Sequence, residues 1–181
     1  MPRQSNRKME FESLEDRRLL AGSVVVSLSS ADPRDLQITG DHESNQILVE
    51  EVGTDLIRVR GLNGTTIKSS NPFAFTFPNN SMTFRVTDDV RIDLGDGDDQ
   101  ATVRHLNLTN AYHNDLSVEM GNGNDVLNLF DIEVERHLTV NGGDGRDDIE
   151  IDETTFEGNL TVTGQSENDN SEMSEVVTET T

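Results

Sequence analysis

The sequence contains no cysteine and no tryptophan, and only one tyrosine and seven phenylalanines among its 181 residues. Without cysteine the chain can form no disulfide, no cysteine-ligated zinc site and no thiol nucleophile. Apolar residues make up 32% of the chain, whereas an average globular domain contains roughly 45–50%. Its core must therefore be narrow, which favours stacked repeats that each bury a short apolar stripe over a thick two-layer core.

Basic residues are also scarce, with 14 Lys and Arg against 35 Asp and Glu, and the formal net charge is −21. Such a chain repels the phosphate backbone of nucleic acids and anionic lipid surfaces, so neither is an expected partner. No apolar run approaches the roughly 20 residues needed to span a membrane. The charge instead favours the binding of cations.

Three glycine-rich acidic turns repeat along the second half of the chain. They occupy residues 95–99, 121–125 and 143–147, so that their starting glycines are 26 and then 22 residues apart. Apolar residues flank each turn at constant offsets, and the four-residue difference is assigned to a loop near residues 110–115. The aligned apolar columns are Val90, Leu116, Leu138 and Leu160; Ile92, Val118, Val140 and Val162; Ala101, Leu127 and Ile149; Val103, Leu129 and Ile151; and Leu108, Val134 and Phe156.

Two alternating stretches joined by a tight glycine turn predict two strands in each repeat. We therefore expect an all-β fold, a parallel β-helix or β-roll-like solenoid of about four coils over residues 90–165. The last unit replaces the turn glycines with Gln165 and Glu167 but keeps Asp169 in register. Residues 166–181 are polar and acidic and are expected to form a frayed tail.

Residues 23–89 are predicted to form a degenerate first repeat plus a β insert that caps the solenoid. Leu36, Ile38, Asn45, Ile47 and Val49 precede equivalent residues of the first clear repeat by 54 positions. Further strands are expected at residues 24–28, 55–60, 65–69, 73–77 and 82–86, with hairpin turns at residues 53–54 and 63–64. Within residues 1–22, the stretch 10–20 predicts a short helix that ends at Gly22.

Residues 11–22, Phe-Glu-Ser-Leu-Glu-Asp-Arg-Arg-Leu-Leu-Ala-Gly, resemble the N-terminal signature of large secreted proteins of planctomycete bacteria. In that family the core reads Leu-Glu-Pro-Arg, any residue, Leu-Leu, and Asp16 stands here at the proline position. The resemblance implies a secreted or cell-envelope protein.

The glycine turns are similar to the nonapeptide repeats of RTX-type calcium-binding β-rolls, which read Gly-Gly-X-Gly-X-Asp-X-apolar-X. Residues 142–150 match every position, and residues 94–102 and 120–128 lack only the first glycine. RTX rolls carry two nonapeptides in each 18-residue coil. This chain carries one in each 22–26 residues, so an ion row would lie along one edge only.

The chemistry of the turns predicts calcium. Glycine permits positive φ and lets carbonyl groups face a cation, while carboxylates supply the hard oxygen ligands that calcium prefers. In register, Asp99, Asp125 and Asp147 would be stacked about 5 Å apart, where like charges oppose ionisation. Up to two ions would fit between three turns, and the further candidate ligands are Asp96, Asp98, Asn122, Asn124 and Asp144. The alternative is that Asp and Asn serve only as good turn residues.

These features favour a calcium-binding structural or adhesive protein rather than an enzyme, with calcium, extracellular polysaccharide or surface proteins as partners. One alternative is a fragment or degenerate remnant of a larger surface protein. A second is a carbohydrate-active β-helix resembling polysaccharide lyases, for which Arg104 and Arg136 are the basic candidates. No residue is assigned a catalytic role.

Overall fold

The computed structural model describes residues 21–70, 80–109, 114–164 and 169–178, and every regular element within these ranges is a β-strand. The predicted helix over residues 10–20 lies outside them. The strands form two sheets. The first sheet contains β1 (Ser23–Leu28), β2 (Leu36–Thr39), β5 (Thr66–Ser69), β7 (Val90–Asp93), β9 (Leu116–Asn122), β11 (Leu138–Asp144) and β13 (Leu160–Thr163). The second contains β3 (Gln46–Gly53), β4 (Leu56–Gly61), β6 (Ser81–Arg85), β8 (Gln100–Leu108), β10 (Val126–Val134), β12 (Asp148–Phe156) and β14 (Asn170–Ser174), with β15 (Val177–Thr178) also paired to β12.

The chain alternates between the sheets from β7 onward. The strand order is β13-β11-β9-β7-β2-β1-β5 in the first sheet and β14-β12-β10-β8-β3-β4-β6 in the second. Strands from successive repeats are parallel neighbours in both. We call each first-sheet strand, its following second-sheet strand and the turn between them a rung. Five rungs result: β2–β3, β7–β8, β9–β10, β11–β12 and β13–β14.

The register confirms the apolar columns predicted from the sequence. Leu116 pairs with Val90 on one side and with Leu138 on the other, and Leu127 is paired with Ala101 and Ile149. The offset is 26 residues between rungs two and three and 22 between rungs three and four. Because β8 and β10 stay in register to their last pair, Leu108 with Val134, the four extra residues lie between β8 and β9.

The inward side chains of the two sheets form a single apolar cluster. Along most strands buried and exposed residues alternate, as the period of a β-strand requires. Each rung contributes a short row of side chains to this cluster, which is the narrow core expected from the low apolar content. Rung three supplies Leu116, Val118, Met120, Leu127, Leu129, Ile132 and Val134.

The strands of the predicted N-terminal β insert pair in a mixed arrangement. β1 pairs with β2, β3 with β4, and β4 with β6 in antiparallel fashion, whereas β1 and β5 are parallel. The turn after Gly53 forms the predicted β3–β4 hairpin. The prediction of a hairpin at Asn63-Gly64 is wrong, because this turn carries the chain from β4 in the second sheet to β5 in the first. The strand expected at residues 73–77 lies outside the described residues.

A buried glutamate joins the insert to the repeats. Glu50 on β3 is cross-strand neighbour to Arg58 on β4 and to Arg104 on β8. Its Oε1 lies 2.5 Å from Arg58 and its Oε2 lies 2.9 Å from Arg104. Burial opposes ionisation of Glu50, but the hydrogen bonds from both arginines outweigh it and hold its pKa below the usual value.

The C-terminal segment pairs further than its sequence suggests. In place of the frayed tail expected over residues 166–181, β14 continues the second sheet beside β12, and β15 pairs with the end of the same strand. Every residue of β14 is exposed. Backbone pairing with an existing parallel strand therefore extends this edge without adding a buried side chain.

The chain bends at one equivalent position of the second sheet in rungs two to five. His105, Asp131, Glu153 and Glu175 all have φ between 47° and 54°. At the first two, pairing is interrupted between β8 and β10. The preceding residues Arg104 and Phe130 also face outward, so the alternation breaks there. A left-handed conformation is unfavourable for residues with a Cβ, and least so for Asn, Asp and His.

This bend yields a prediction about stability. Glu153→Asn should raise the free energy of unfolding by about 0.5–1 kcal/mol, because Asn tolerates the left-handed region better than Glu. The matched control is Glu150→Asn on the same strand, where φ is not positive and Asn is a poor strand former. Urea unfolding of both variants would measure the effect, and equal stabilities would show that the bend stores no such strain.

Candidate functional site

The turns between β7 and β8, β9 and β10, and β11 and β12 are stacked on one another through glycine. Gly95, Gly121 and Gly143 have φ of 92°, 108° and 98°. A Cβ on Gly121 would lie 1.7 Å from the carbonyl oxygen of Gly95, and one on Gly143 would lie 1.8 Å from that of Gly121. Glycine is therefore required for two reasons: its φ is positive, and a Cβ would collide with the turn of the neighbouring rung.

Behind these turns, the aspartates Asp99, Asp125 and Asp147 form a hydrogen-bonded column inside the molecule. The backbone N–H of Asp99 donates to Asp125 Oδ1 at 2.7 Å, and that of Asp125 donates to Asp147 Oδ1 at 3.1 Å. The column extends one rung in each direction, since Asn45 N–H donates to Asp99 Oδ1 and Asp147 N–H to Asp169 Oδ1. We call these five residues the inward column.

The three central carboxyl groups are buried and only half satisfied. Asp99, Asp125 and Asp147 have relative exposures of 2%, 1% and 1%. Within the ranges that the structure describes, the Oδ2 atom of each has no hydrogen-bond partner. Burial raises the pKa of Asp99 to about 7, and the charge of Asp125 adds to the shift. Burial likewise raises the pKa of Asp125 to about 6 and that of Asp147 above its usual value.

The residue five positions before each of these aspartates helps to explain how far its pKa is raised. A Cβ on Gly142 would lie 2.4 Å from Asp147 Oδ2, so this carboxyl group occupies space beside the glycine. The equivalent residues of the other two rungs are Leu94 and Met120, both fully buried. Large apolar side chains at these positions remove water from the neighbouring carboxyl groups, which disfavours their charged form.

The other predicted ligands belong to a separate set on the outer surface. Asp96, Asp98, Asn122, Asn124 and Asp144 are all exposed. Asn122 Nδ2 donates to Asp96 Oδ1 at 2.6 Å, and Asn124 donates to Asp98 Oδ1 from its backbone at 2.8 Å and from its side chain at 3.1 Å. These hydrogen bonds lower the pKa of Asp98.

The eight predicted ligands therefore divide into two groups that the structure does not bring together on one face. Three are buried inside the stack, and five are exposed in its turns. The exposed acids of rung two are already matched with amide donors of rung three, which reduces their need for a cation. Each of the three buried aspartates has an Oδ2 atom without a hydrogen-bond partner among the described residues.

The sequence reasoning placed Asn45 and Asp169 in the repeat but did not include them in the site. The 54-residue offset identified Asn45, and the register of the last unit identified Asp169. Strand alternation held a further signal, because Asp99, Ala101 and Val103 are separated by two residues each and must face the same way. That parity assigns Asp99 to the interior and Asp98 to the surface.

A second ladder, which the sequence reasoning missed, runs along the starts of the first-sheet strands. Asp115 N–H donates to Asp89 Oδ1 at 3.0 Å, His137 N–H to Asp115 Oδ1 at 3.1 Å, and Asn159 N–H to His137 Nδ1 at 3.0 Å. In this ladder each side chain accepts a hydrogen bond from a backbone N–H of the following rung. In the inward column the direction is reversed, because each side chain accepts from the preceding rung. Since a backbone N–H can only donate, His137 Nδ1 is the acceptor in the last of these bonds.

An acidic cluster near the first rung is partly offset by one arginine. Asp32, Asp35 and Asp88 each offer a carboxylate oxygen within 4.8 Å of the others. Arg34 lies 2.5 Å from Asp32 and 3.0 Å from Asp88, and hydrogen bonds from Arg34 lower the pKa of Asp32 to about 2. The guanidinium group therefore offsets part of the negative charge of this cluster, while burial and the neighbouring aspartates raise the pKa of Asp35 and that of Asp88.

The two arginines considered for carbohydrate chemistry lie in different surroundings. Arg104 on β8 binds Glu50 and has Phe130 as its neighbour in the next rung. Arg136 follows the end of β10 and approaches Asp115 at 3.8 Å.

Comparison with protein-family models, curated proteins and solved structures returned no match. Among the described residues, no helix has the length and hydropathy required to cross a membrane.

Proposed function

We propose that this chain is a calcium-binding β-solenoid with a structural or adhesive role in a secreted or cell-surface setting. The observation that carries the calcium proposal is the inward column. It presents three buried carboxyl groups on successive rungs, each with one oxygen that no described residue satisfies. Burying such groups without compensation is costly, so a bound proton or a bound cation must offset the cost.

The solenoid architecture is supported by the alternation of the chain between two parallel-rich sheets. Each of the last four rungs adds one strand to each sheet, in register with the strand before it. Successive rungs then bury their apolar rows against one another, as in other repeat proteins. This arrangement accounts for a chain of this length with so few apolar residues.

Calcium is favoured over other divalent ions by the ligand chemistry. The candidate ligands are carboxylate, amide and backbone oxygens, which suit calcium and magnesium. Calcium accepts more ligands and less regular geometry than magnesium, and so fits oxygens fixed by a stack of strands. The three central aspartates of the inward column, Asp99, Asp125 and Asp147, would accommodate up to two ions, one between each pair of successive turns. The similarity of the turns to RTX repeats supports the same ion.

A secreted or envelope location is supported by the resemblance of residues 11–22 to the planctomycete signature. Cysteine is absent, so the chain has no disulfide to restrict its unfolded state. A calcium-linked stack would stabilise it in another way, since any ligand that binds only the folded state adds to stability. Extracellular calcium modules typically bind with a Kd of about 10⁻⁴–10⁻³ M. We therefore assign calcium the role of a folding ligand.

The test is thermal unfolding of EDTA-treated protein with increasing calcium at pH 7.5. Calcium at about 100 times its Kd should add roughly 2.7 kcal/mol for each site, or about 5–10 °C in Tm. Asp125→Asn, at the centre of the inward column, should remove most of this gain. The matched control Asp93→Asn changes an exposed acid on β7 and should keep it. If calcium leaves the Tm of the wild-type protein unchanged, the proposed function is wrong.

A further inference from the structure

The outward side chains of the second sheet carry opposite charges at the two ends of the stack. On β4, β3 and β8 they include three arginines and one glutamate, whereas on β12 and β14 the equivalent positions hold three acids and no base. The sheet is therefore positive at one end and negative at the other, in a chain whose net charge is −21. Cross-strand pairing aligns these positions in two rows, which we call the outer face: Arg58, Glu50, Arg104, Phe130, Asp152 and Ser174; and Arg60, Leu48, Thr102, Asn128, Glu150 and Glu172.

The positive end of the outer face keeps a surplus of charge. Glu50 is shared by two arginines, Arg58 at 2.5 Å and Arg104 at 2.9 Å, whose side chains remain 39% and 43% exposed. Among the described residues, the Nε of Arg60 has no hydrogen-bond partner. Because one carboxylate serves two of the three guanidinium groups, these arginines can still bind carboxylates of another molecule.

Between the two ends, β10 is uncharged on the outer face and exposes an aromatic ring. Its residues there are Asn128 and Phe130. Phe130 is 38% exposed, and the ring of His105 packs against it in an edge-to-face arrangement with centroids 6.0 Å apart. Aromatic side chains near the centre of a contact surface contribute most to the binding energy of protein interfaces. Phe130 lies where such an anchor is expected.

From this distribution we propose that the outer face binds the outer face of a second copy of this chain, about a two-fold axis that runs along β10. Rotation about that axis reverses the order of the strands, so that β8 of each protomer faces β12 of the other and Phe130 meets its own copy. Arg104 then faces the partner's Asp152, and Thr102 faces the partner's Glu150. The inference goes beyond the proposed function, since neither row contains a candidate calcium ligand.

The dimensions of the outer face indicate a weak dimer. Its six strands, about 4.8 Å apart and each contributing about five residues, provide roughly 500 Å² from each protomer. Two such faces bury about 1,000 Å² in total, below the roughly 1,200–2,000 Å² of stable complexes. At about 0.15 M salt the Debye length is about 8 Å, so the net negative charges of the two protomers are largely screened, while charges in contact are not. The complementary ends then determine the orientation of the two protomers.

Sedimentation equilibrium of the full chain at about 0.15 M salt tests the dimer. Between about 10 µM and 1 mM protein, the apparent mass should rise from that of the monomer toward that of the dimer, as an interface of this size requires. Phe130→Ser should raise the dissociation constant at least about tenfold, because it removes the central anchor. The matched control Val25→Ser removes an exposed apolar side chain from the outside of the first sheet and should leave the constant unchanged.

An exchange of charge between facing positions tests the orientation. Glu150→Lys should weaken the dimer about threefold or more, because it places a positive charge near the partner's Arg104. Adding Thr102→Glu to the same chain should restore the dimer, since the two new charges face each other across the axis. Glu119→Lys changes the net charge by the same amount on the outside of the first sheet and should have no effect.

Nuclear magnetic resonance of the wild-type protein gives a further measurement if a variant fails to fold. The amide signals of Asn128, Phe130 and Glu150 should shift as the protein concentration rises. Three results would overturn the proposal: a wild-type protein that stays monomeric, a dimer that Phe130→Ser and Glu150→Lys both leave unchanged, or signals that respond only to added heparin, which would assign the arginines to an anionic polymer.

Discussion

Calcium-free protein is expected to lose stability as the pH rises from 4.5 to 8. The pKa of Asp99 is raised to about 7 and that of Asp125 to about 6, both above the value of 3.8 for an exposed aspartate. A group with a raised folded-state pKa contributes stability that is complete below its unfolded pKa and is lost as the pH passes through the folded value. At about 1.4 kcal/mol per pKa unit, the loss is on the order of 2–4 kcal/mol for Asp99.

Asp99→Asn separates this effect from the general repulsion of an acidic chain. Asn can still accept the hydrogen bond from the Asn45 N–H, and it cannot ionise. In EDTA the variant should be more stable than the wild-type protein at pH 8 and nearly equal to it at pH 4.5. In saturating calcium the order at pH 8 should reverse, because the variant loses a charged ligand. Urea unfolding at the two pH values measures both, and a variant less stable than wild type in EDTA at pH 8 would contradict the assignment of Asp99.

Gly121→Ala is expected to cost on the order of 3–5 kcal/mol of unfolding free energy. Its Cβ would lie 1.7 Å from the Gly95 carbonyl oxygen, and alanine is strained at a φ of 108°. Relief would require the turns of rungs two and three to separate, which would break the Asn122 N–H to Gly95 O hydrogen bond of 2.9 Å.

Gly53→Ala provides the matched control for this substitution. Gly53 ends β3 in the hairpin, and a Cβ there would meet its nearest neighbour, Leu56, at an ordinary contact distance of 3.5 Å. Its effect should stay within about 0.5 kcal/mol. Similar urea midpoints for the two variants would mean that the turns are not stacked as described.

The parts of the fold that could be predicted are those in which apolar alternation is repeated. Val90 and Ile92 recur as Leu116 and Val118 because each must cover the same stripe of core, and a slip of one residue would turn both outward. The offset between Asn45 and Asp99 follows from the same constraint. These positions could be predicted from the two-residue period of a strand and the spacing of the turns alone.

Other features had no comparable signal. The bend at His105, Asp131, Glu153 and Glu175 carries neither glycine nor asparagine, and two of its four positions are glutamates, which rarely adopt left-handed φ. The strand β14 is wholly exposed and pairs through its backbone alone, which leaves no apolar pattern to detect. The opposite orientations of Asp98 and Asp99 could have been predicted from the sequence, by extending the strand alternation of Ala101 and Val103 back into the turn.

Calorimetric titration with calcium at pH 6.5, in two buffers of different ionisation enthalpy, tests the role of the buried aspartates most directly. If calcium displaces protons from the inward column, the observed heats should differ between buffers by an amount that reports proton release. That release should fade at pH 8.5 and be smaller in Asp99→Asn. Binding heats that are identical in the two buffers at pH 6.5, or the absence of binding, would contradict the assignment of calcium to these carboxyl groups.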